Sequence, residues 1–388
     1  MIESRFLIVL APLNLKKVKT SKYIWLLCAI CGISCVNDIH EKPEINCVTL
    51  DAFVSKEHPS ISNDFTDFEI IPLENKKEGI ITEVRKMVVT DDDMYFWDAG
   101  PKPQVLRFSL SGIYKNNIGR RGHANGEYNM IMNIAGTQNG DTIAVLTYPN
   151  AHLYSKSGKF LNSIEIKNDQ GTEDILLTDN GIYLGYFHRQ TKSLMTFYNK
   201  NLNHPIFIVE TQCNPFGEPL GVANGHLIQQ DDNFIYCLDP FNSCFYVVGK
   251  DNPEDITKYS FNMDNMLNEE GVRCGETDRY KTIYSYQAYK GIIRGVLLHE
   301  KGNYDFKFSL NDKKVELVNH EDLDFLFDCC HAGYYYKVIS PIDLLEIMDS
   351  QKKYMDPIRH LLGETLNALE GKISPTDNYY IIKMRIKE

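Results

Sequence analysis

A strand-rich unit recurs about every 40–55 residues from Lys86 to the C-terminus, and that period limits the fold more than any local propensity. Its clearest copy runs from Met87 through Asp91-Asp92-Asp93 to Asp98, then Gln104–Gly112, then Tyr114–Ile118. This reads as strand, polar turn, strand, loop, strand, Ser-Gly turn, strand. Four antiparallel strands per unit at this period are the pattern of β-propeller blades. The turn between the first two strands of each unit sets the register. It falls at Asp91-Asp92-Asp93, Gln138–Asp141, Asp179-Asn180-Gly181, Asp231-Asp232-Asn233, Lys290-Gly291 and Ala332-Gly333. Each is a hairpin signal flanked by apolar, β-branched or aromatic residues. The next strand follows each time: Met94–Trp97, Thr142–Leu146, Ile182–Tyr186, Phe234–Leu238, Ile292–Leu298 and Tyr334–Ile339. The expected fold is all-β, a six-bladed β-propeller of four-stranded antiparallel blades spanning residues 65–388.

The sixth unit supplies only three strands, the last at Tyr379–Ile386, while an unassigned strand, Phe68–Leu73, precedes the first unit. A ring cannot leave a strand edge with unmet N–H and C=O groups. The economical reading is that Phe68–Leu73 becomes the outer strand of blade six and closes the ring. Pro72 suits an edge or a strand end. A separate N-terminal hairpin is the alternative.

Two stretches interrupt the pattern. Asp264–Lys281 is polar and poor in strand signal. In unit six, Ser340-Pro341 and Asp356-Pro357 each place a capping residue and a first-turn proline before an apolar run, and Gly371 is a stop. Leu362, Leu366 and Leu369 share one helical face. A short helical insertion in blade six is expected.

Residues 1–35 form an address. Lys16, Lys17, Lys19 and Lys22 precede the apolar run Tyr23–Ile33, which is too short to span a bilayer but suits a secretory leader. Ser34-Cys35 ends the run, and a small residue before a cysteine is similar to a lipoprotein signal, with Gly32 standing where leucine is usual. Cys35 is the expected lipidated residue, which gives a membrane partner through the lipid anchor. An uncleaved anchor is the alternative. Residues 36–64 read as an N-terminal linker.

Removing residues 1–35, which hold five basic residues and one acidic, takes the formal net charge from −11 to about −15. A surface this acidic excludes nucleic acid as a natural partner, since phosphate binding wants clustered Lys and Arg. Of the cysteines left, Cys237 and Cys244 either bridge a hairpin or act as small buried apolar residues. Vicinal Cys329-Cys330 points to opposite faces of a strand, and no C-x-x-C pair has zinc spacing.

The sharpest local motif is Gly119-Arg120-Arg121-Gly122-His123-Ala124-Asn125-Gly126-Glu127-Tyr128, between units one and two. With Phe68–Glu74, Val105–Gly112 and the ending Asp377–Met384, it resembles the six-bladed β-propeller lipoproteins of Bacteroidetes, relatives of NHL-repeat propellers. Their linker reads Gly-x-x-Gly-x-Gly-Pro-Gly-Glu-Tyr, so Ala124 and Asn125 depart from it. The resemblance implies this fold and a cell-envelope location, as an outer-membrane lipoprotein facing the periplasm or the cell surface. It implies little about activity.

Physically, the linker's glycines permit close backbone approach, and Arg120 and Arg121 could hold an anion beside exposed N–H groups. The alternative is an inter-blade tie through Glu127 and Tyr128. The candidate ligand-binding residues are Arg120, Arg121, His123, Glu127 and Tyr128, with Arg273, Arg279 and Tyr280 from the polar insertion. No nucleophile elbow, metalloprotease motif, EF-hand loop or dinucleotide fingerprint occurs. His123, His152, His188, His226, His299 and His331 fall in different units, and Asp98 and Asp239 end second strands, where aspartates cap turns. The sequence names no cofactor and leaves any metal unassigned. Two functions remain. One is a propeller that binds a peptide, glycan or partner protein without catalysis; the alternative is a metal-dependent hydrolase or lyase of the lactonase kind.

Overall fold

The computed structural model describes residues 44–54, 65–166, 172–186, 193–199, 207–210, 227–240, 242–264, 266, 281–299, 303–320, 327–349 and 356–387. Two strands come first, β1 (Ile45–Val54) and β2 (Phe65–Pro72). After them the chain lays down strands in antiparallel sets. The first set is β3 (Val84–Val89), β4 (Asp93–Asp98), β5 (Gln104–Ser109) and β6 (Tyr114–Asn117). The second is β7 (Asn133–Gly136), β8 (Thr142–Thr147), β9 (Asn150–Ser155) and β10 (Phe160–Glu165). The third is β11 (Thr172–Leu177), β12 (Gly181–Tyr186), β13 (Ser193–Asn199) and β14 (Phe207–Glu210). Next come β15 (Ile228–Gln230), β16 (Phe234–Asp239), β17 (Cys244–Gly249) and β18 (Ile256–Asn262), then β19 (Thr282–Tyr289), β20 (Ile292–Leu298), β21 (Asn303–Ser309) and β22 (Lys314–His320). The last set is β23 (Cys329–His331), β24 (Tyr334–Ile339) and β25 (Tyr380–Ile386).

The fold is all-β and propeller-like. Every polar turn read from the sequence sits between the first and second strand of a set, because those residues supply the φ and side-chain hydrogen bonds that a tight reversal needs. The first strands also neighbour one another in a cycle: β3 lies against β7, β7 against β11, β11 against β15, β15 against β19, β19 against β23, and β23 against β3. Apolar clusters fill the spaces between successive sets. Met87, Phe96 and Phe108 pack with Ile381 and Tyr336, Tyr95 and Val105 with Val145 and Tyr154, and Phe245 and Tyr286 with Phe306 and Phe308.

The expected partner of the N-terminal strand is the observed one. β2 pairs antiparallel with β25, Ile70 opposite Ile382 and Pro72 opposite Tyr380, at the outer edge of the sheet β2-β25-β24-β23. Two helices occupy the connection between β24 and β25, α1 (Pro341–Asp349) and α2 (Asp356–Asn367). Ser340 caps α1, its hydroxyl accepting the Asp343 N–H at 3.1 Å. Leu362 and Leu366 are buried beside Leu344 and Ile382, with Leu369 packed against them.

The stretch read as a linker, 36–64, requires a correction. Its residues 45–54 form β1, which runs parallel to β18 on one side and to β22 on the other. It thereby joins two four-stranded sets into one nine-stranded sheet, β15-β16-β17-β18-β1-β22-β21-β20-β19. Leu50 is fully buried there, with Val48 and Ala52 packed on the same side, while Thr49, Asp51 and Phe53 are exposed. β1 saturates two outer edges at once, which is the physical reason a strand with mostly exposed side chains is held.

Of the described cysteines, Cys47 is exposed and the other four pack in the interior. Cys237 lies opposite Tyr246 and Cys244 opposite Asp239, so neither faces the other, and both are free and buried. Cys329 and Cys330 pack into different apolar clusters, as expected of neighbours on a strand. Cys35, Cys213 and Cys274 lie outside the described residues.

Candidate functional site

The Gly119–Tyr128 linker is held mainly by itself. Arg121 and Tyr128 form an isolated parallel bridge. The Gly122 N–H donates to the Tyr128 carbonyl at 3.0 Å, and the Tyr128 N–H to the Arg120 carbonyl at 3.1 Å. Glu127 turns its carboxylate inward, accepting the Ala124 N–H at 3.0 Å and pairing with the Arg120 guanidinium. The Ala124 N–H, more than the Arg120 hydrogen bond and charge, holds the Glu127 carboxyl below its ordinary 4.5. Gly126 must be glycine: its φ is +75°, and a Cβ would stand 2.4 Å from the Phe160 ring. Tyr128 is buried, with its hydroxyl on the Ile118 carbonyl at 3.1 Å, and its ring meets Tyr154 edge-on. Burial pushes its phenol up to about 12.

Of the residues predicted here, Glu127 and Tyr128 therefore serve the loop's own shape, and Arg120 is tied to Glu127 although 79% exposed. Arg121 and His123 are exposed. Arg273, Arg279 and Tyr280 lie outside the described residues, as do His188 and His226. Asp98 and Asp239 cap turns as expected. Asp98 Oδ1 accepts from the N–H groups of Thr82, Glu83 and Gly100, and Asp239 Oδ1 from that of Asn242.

A second constellation lies where the six first strands meet. They line a half-open cavity of about 120 Å³, with residues from β3, β7, β11, β15, β19 and β23. At one end stands a buried polar belt. The Lys86 ammonium donates to Asn133 Oδ1 at 2.6 Å and to Asp174 Oδ1 at 2.8 Å. Asp174 Oδ2 accepts the Ile228 N–H at 2.9 Å, and the Asn133 amide donates to the Glu173 carbonyl at 2.7 Å. On the other side Gln229 donates to the Tyr286 carbonyl at 2.6 Å, and Gln287 to the Phe327 carbonyl at 3.2 Å. The Lys86–Asp174 bond reaches from β3 past β7 to β11, and each of the others links one first strand to the next or to the residues leading into it, so the belt ties β3 through β23 together. Glu173, beside it, has its carboxyl raised by desolvation and then by the Asp174 charge.

Toward the first-to-second turns the cavity reaches Gln138, Asp232 and His331. The Gln138 amide donates to Asp232 Oδ1 at 3.2 Å, and His331 Nε2 lies 3.0 Å from Asp91 Oδ1. Burial lowers the His331 imidazole below 6.5, more than Asp91 and Asp232 raise it. It is the described histidine that lines the cavity.

Sequence reasoning missed this belt, yet a signal was present. Lys86, Asn133 and Asp174 each stand four residues before a threonine: Thr90, Thr137 and Thr178. Those three threonines close the three turns. Their hydroxyls accept the N–H groups of Asp93, Thr142 and Gly181.

Comparison with known proteins places the chain by descent rather than by activity. A family described as a domain of unknown function, DUF4934, matches residues 46–385. The chain belongs to the DUF4934 family. The match takes in β1, consistent with that strand being part of the fold. The chain shares its fold with a Bacteroides fragilis protein provisionally named as exported, with a TM-score of 0.67 at 15% identity over 88% of this chain and 100% of that one. A DUF4221-family protein from Bacteroides vulgatus is also similar, with a TM-score of 0.49 at 8% identity, covering 84% of this chain and 98% of that one. No curated protein matches the chain.

Proposed function

We propose that this DUF4934 chain is a six-bladed β-propeller of the cell envelope, anchored through a lipid on Cys35, that binds a peptide, glycan or partner protein without transforming it. The cycle of six first strands, with β2 completing the last set, supports the blade count. The basic and apolar leader before Cys35, and the exported assignment of the Bacteroides fragilis protein that shares the fold, support the address. The same features fit the Bacteroidetes lipoprotein propellers that the linker motif resembles.

The observation that carries the non-catalytic reading is Lys86. A hard divalent cation needs several carboxylate, amide and carbonyl oxygens around one point. At the axial end of the cavity those oxygens belong to Asn133 and Asp174, and an ammonium already holds both. Asp174's other oxygen accepts a backbone N–H. Nothing among the described residues favours the lactonase alternative.

The cavity is also small beside the roughly 300–1,000 Å³ of ordinary ligand pockets. A peptide or glycan therefore lies on a face of the ring, across the connections that run from an outer strand to the next first strand. The Gly119–Tyr128 linker is one of these, and Arg273, Arg279 and Tyr280 fall in another, between β18 and β19. With Arg120 held by Glu127, Arg121 and His123 are left to meet an anionic group, Arg121 through planar paired donors.

An array of acidic glycans and peptides tests this reading. Retention should weaken with salt and fall in Arg121→Ala, with the thermal midpoint unchanged. Calcium-dependent hydrolysis of lactones by the purified protein would instead establish the enzyme. Intact mass of the membrane-extracted protein should show a lipidated Cys35, and an equally membrane-bound Cys35→Ala would overturn the anchor.

A further inference from the structure

An asparagine followed by glycine can lose its side-chain amide without any enzyme. The backbone nitrogen of the glycine attacks the carboxamide carbon, and the missing side chain leaves that approach open. The fold decides whether this happens, because the peptide unit between the two residues has to rotate and its N–H has to be available. Four such pairs occur in the chain, Asn125-Gly126, Asn139-Gly140, Asn180-Gly181 and Asn224-Gly225. The last lies outside the described residues.

Two of the described pairs are locked. In the β7–β8 turn the Gly140 N–H donates to the Thr137 carbonyl at 2.8 Å. Asn139 Oδ1 accepts the Thr137 hydroxyl at 2.8 Å and the Asp141 N–H at 3.1 Å, and Asn139 Nδ2 donates to Asp141 Oδ2 at 3.1 Å. In the β11–β12 turn the Gly181 N–H donates to the Thr178 hydroxyl at 3.1 Å, and Asn180 Nδ2 to the Lys250 carbonyl at 3.4 Å. Attack at either place has to break these bonds first.

Asn125 and Gly126 are the middle residues of a different turn. The Glu127 N–H donates to the Ala124 carbonyl at 2.9 Å, Gly126 has a φ of +75°, and the Tyr154 hydroxyl donates to the Gly126 carbonyl at 3.1 Å. Those bonds hold the turn from outside the peptide unit that has to move. The Asn125 carbonyl and the Gly126 N–H, its two polar ends, make no hydrogen bond among the described residues, and the exposed Asn125 side chain makes none either. The unit can therefore rotate between two β-turn types while the surrounding bonds are kept.

We infer that Asn125 is a site of spontaneous deamidation, chosen among the Asn-Gly pairs by the hydrogen bonds it lacks. The Gly126 nitrogen bonds to Asn125 Cγ, the Cγ–Nδ2 bond breaks, and ammonia leaves with the proton from the Gly126 nitrogen. The product is a five-membered cyclic imide. Water is the one co-reactant, and it opens the ring at either carbonyl to give aspartate or isoaspartate. The change puts a carboxylate on an exposed loop that also carries His123 and Arg121. Resting on the reading of this loop as the seat of an anionic ligand, the converted protein should retain such a ligand less well, because like charges repel. Deamidation itself is read without any ligand, so a failure of that reading leaves this one standing.

The experiment is incubation of the intact folded protein at mildly alkaline pH, sampled over weeks. Peptide mapping by mass spectrometry then separates the asparagine, aspartate and isoaspartate forms at each pair. Asn125 should convert roughly tenfold faster or more than Asn139 and Asn180, since hydrogen bonds have to break first at those two. A parallel incubation in urea removes the fold, and the three rates should then draw together. Conversion of Asn139 or Asn180 as fast as Asn125 in the folded protein would overturn the proposal. So would a folded Asn125 that stays intact while the unfolded one converts, or the same order and spacing of rates in urea.

Discussion

Replacing Lys86 with methionine tests the axial belt directly. The Lys86 and Asp174 side chains are 6% and 1% exposed, and their atoms lie 2.8 Å apart. Lys86→Met removes the cation but leaves the Asp174 carboxylate buried, with only the Ile175 and Ile228 N–H groups to hold it. Removing one partner of a buried pair costs about 3–5 kcal/mol, because the surviving charge has lost its compensation. Unfolding entropy of about 2.1 cal/mol/K per residue makes each kcal/mol worth roughly 1.4 °C in a unit of this size, residues 42–388. The thermal midpoint should therefore fall by about 4–7 °C. The double variant Lys86→Met with Asp174→Asn removes the orphaned charge and should regain part of the loss. Differential scanning calorimetry of parent, single and double variants measures both effects. A single variant within about 1 °C of the parent, or a double variant with the sum of the separate losses, would refute the claim that the pair is buried and mutually compensating.

Three further outcomes follow from the same structure. Glu127 has a folded-state pKa below its ordinary 4.5, so its contribution is present above that value and lost as pH falls through the lower folded one. Glu127→Gln should consequently differ from the parent in pH-dependent melting at neutral pH and converge with it in acid; parallel curves would disprove the link. Gly126→Ala should cost about 1–3 kcal/mol in urea titration, since its φ is +75° and its Cβ would strike Phe160; an unchanged midpoint would show that the loop can move aside. Leu50→Ala empties the buried anchor of β1 and should lose about 2–5 kcal/mol, with aggregation on heating as the β18 and β22 edges come free; light scattering equal to the parent's would mean that β1 does not guard them.

Much of the architecture was legible because its signals are local. Asp179-Asn180-Gly181 and Asn139-Gly140 reverse the chain by their own backbone and side-chain chemistry, whatever surrounds them. β2 was readable as a partner of β25 because an orphan strand at one end and a missing one at the other admit a simple solution. β1 was not read. Val48, Leu50 and Ala52 face one apolar cluster and Ile45 packs against another, which leaves no long single stripe to stand out, and its parallel partners lie far along the chain at β18 and β22. The helical insertion was visible through Ser340-Pro341 and Asp356-Pro357, where caps announce themselves.

The site divides along the same line. That Gly119–Tyr128 forms a glycine-bearing connection between two sets of strands was determined by sequence alone, since glycine spacing and chain order need no neighbours. Whether Glu127 would meet a ligand or fold back onto Ala124 and Arg120 was decided by tertiary structure, because a carboxylate on a loop bonds to whichever donors the loop brings near. The belt shows the contrast most sharply. Lys86, Asn133 and Asp174 recur at a fixed distance from three turn threonines, yet along a single strand each reads as one polar residue among apolar ones. Their strands lie 47 and 88 residues from Lys86 in the chain. Only the closing of the first strands into a cycle brings an ammonium, an amide and a carboxylate together away from water, where their mutual hydrogen bonding becomes strong enough to matter.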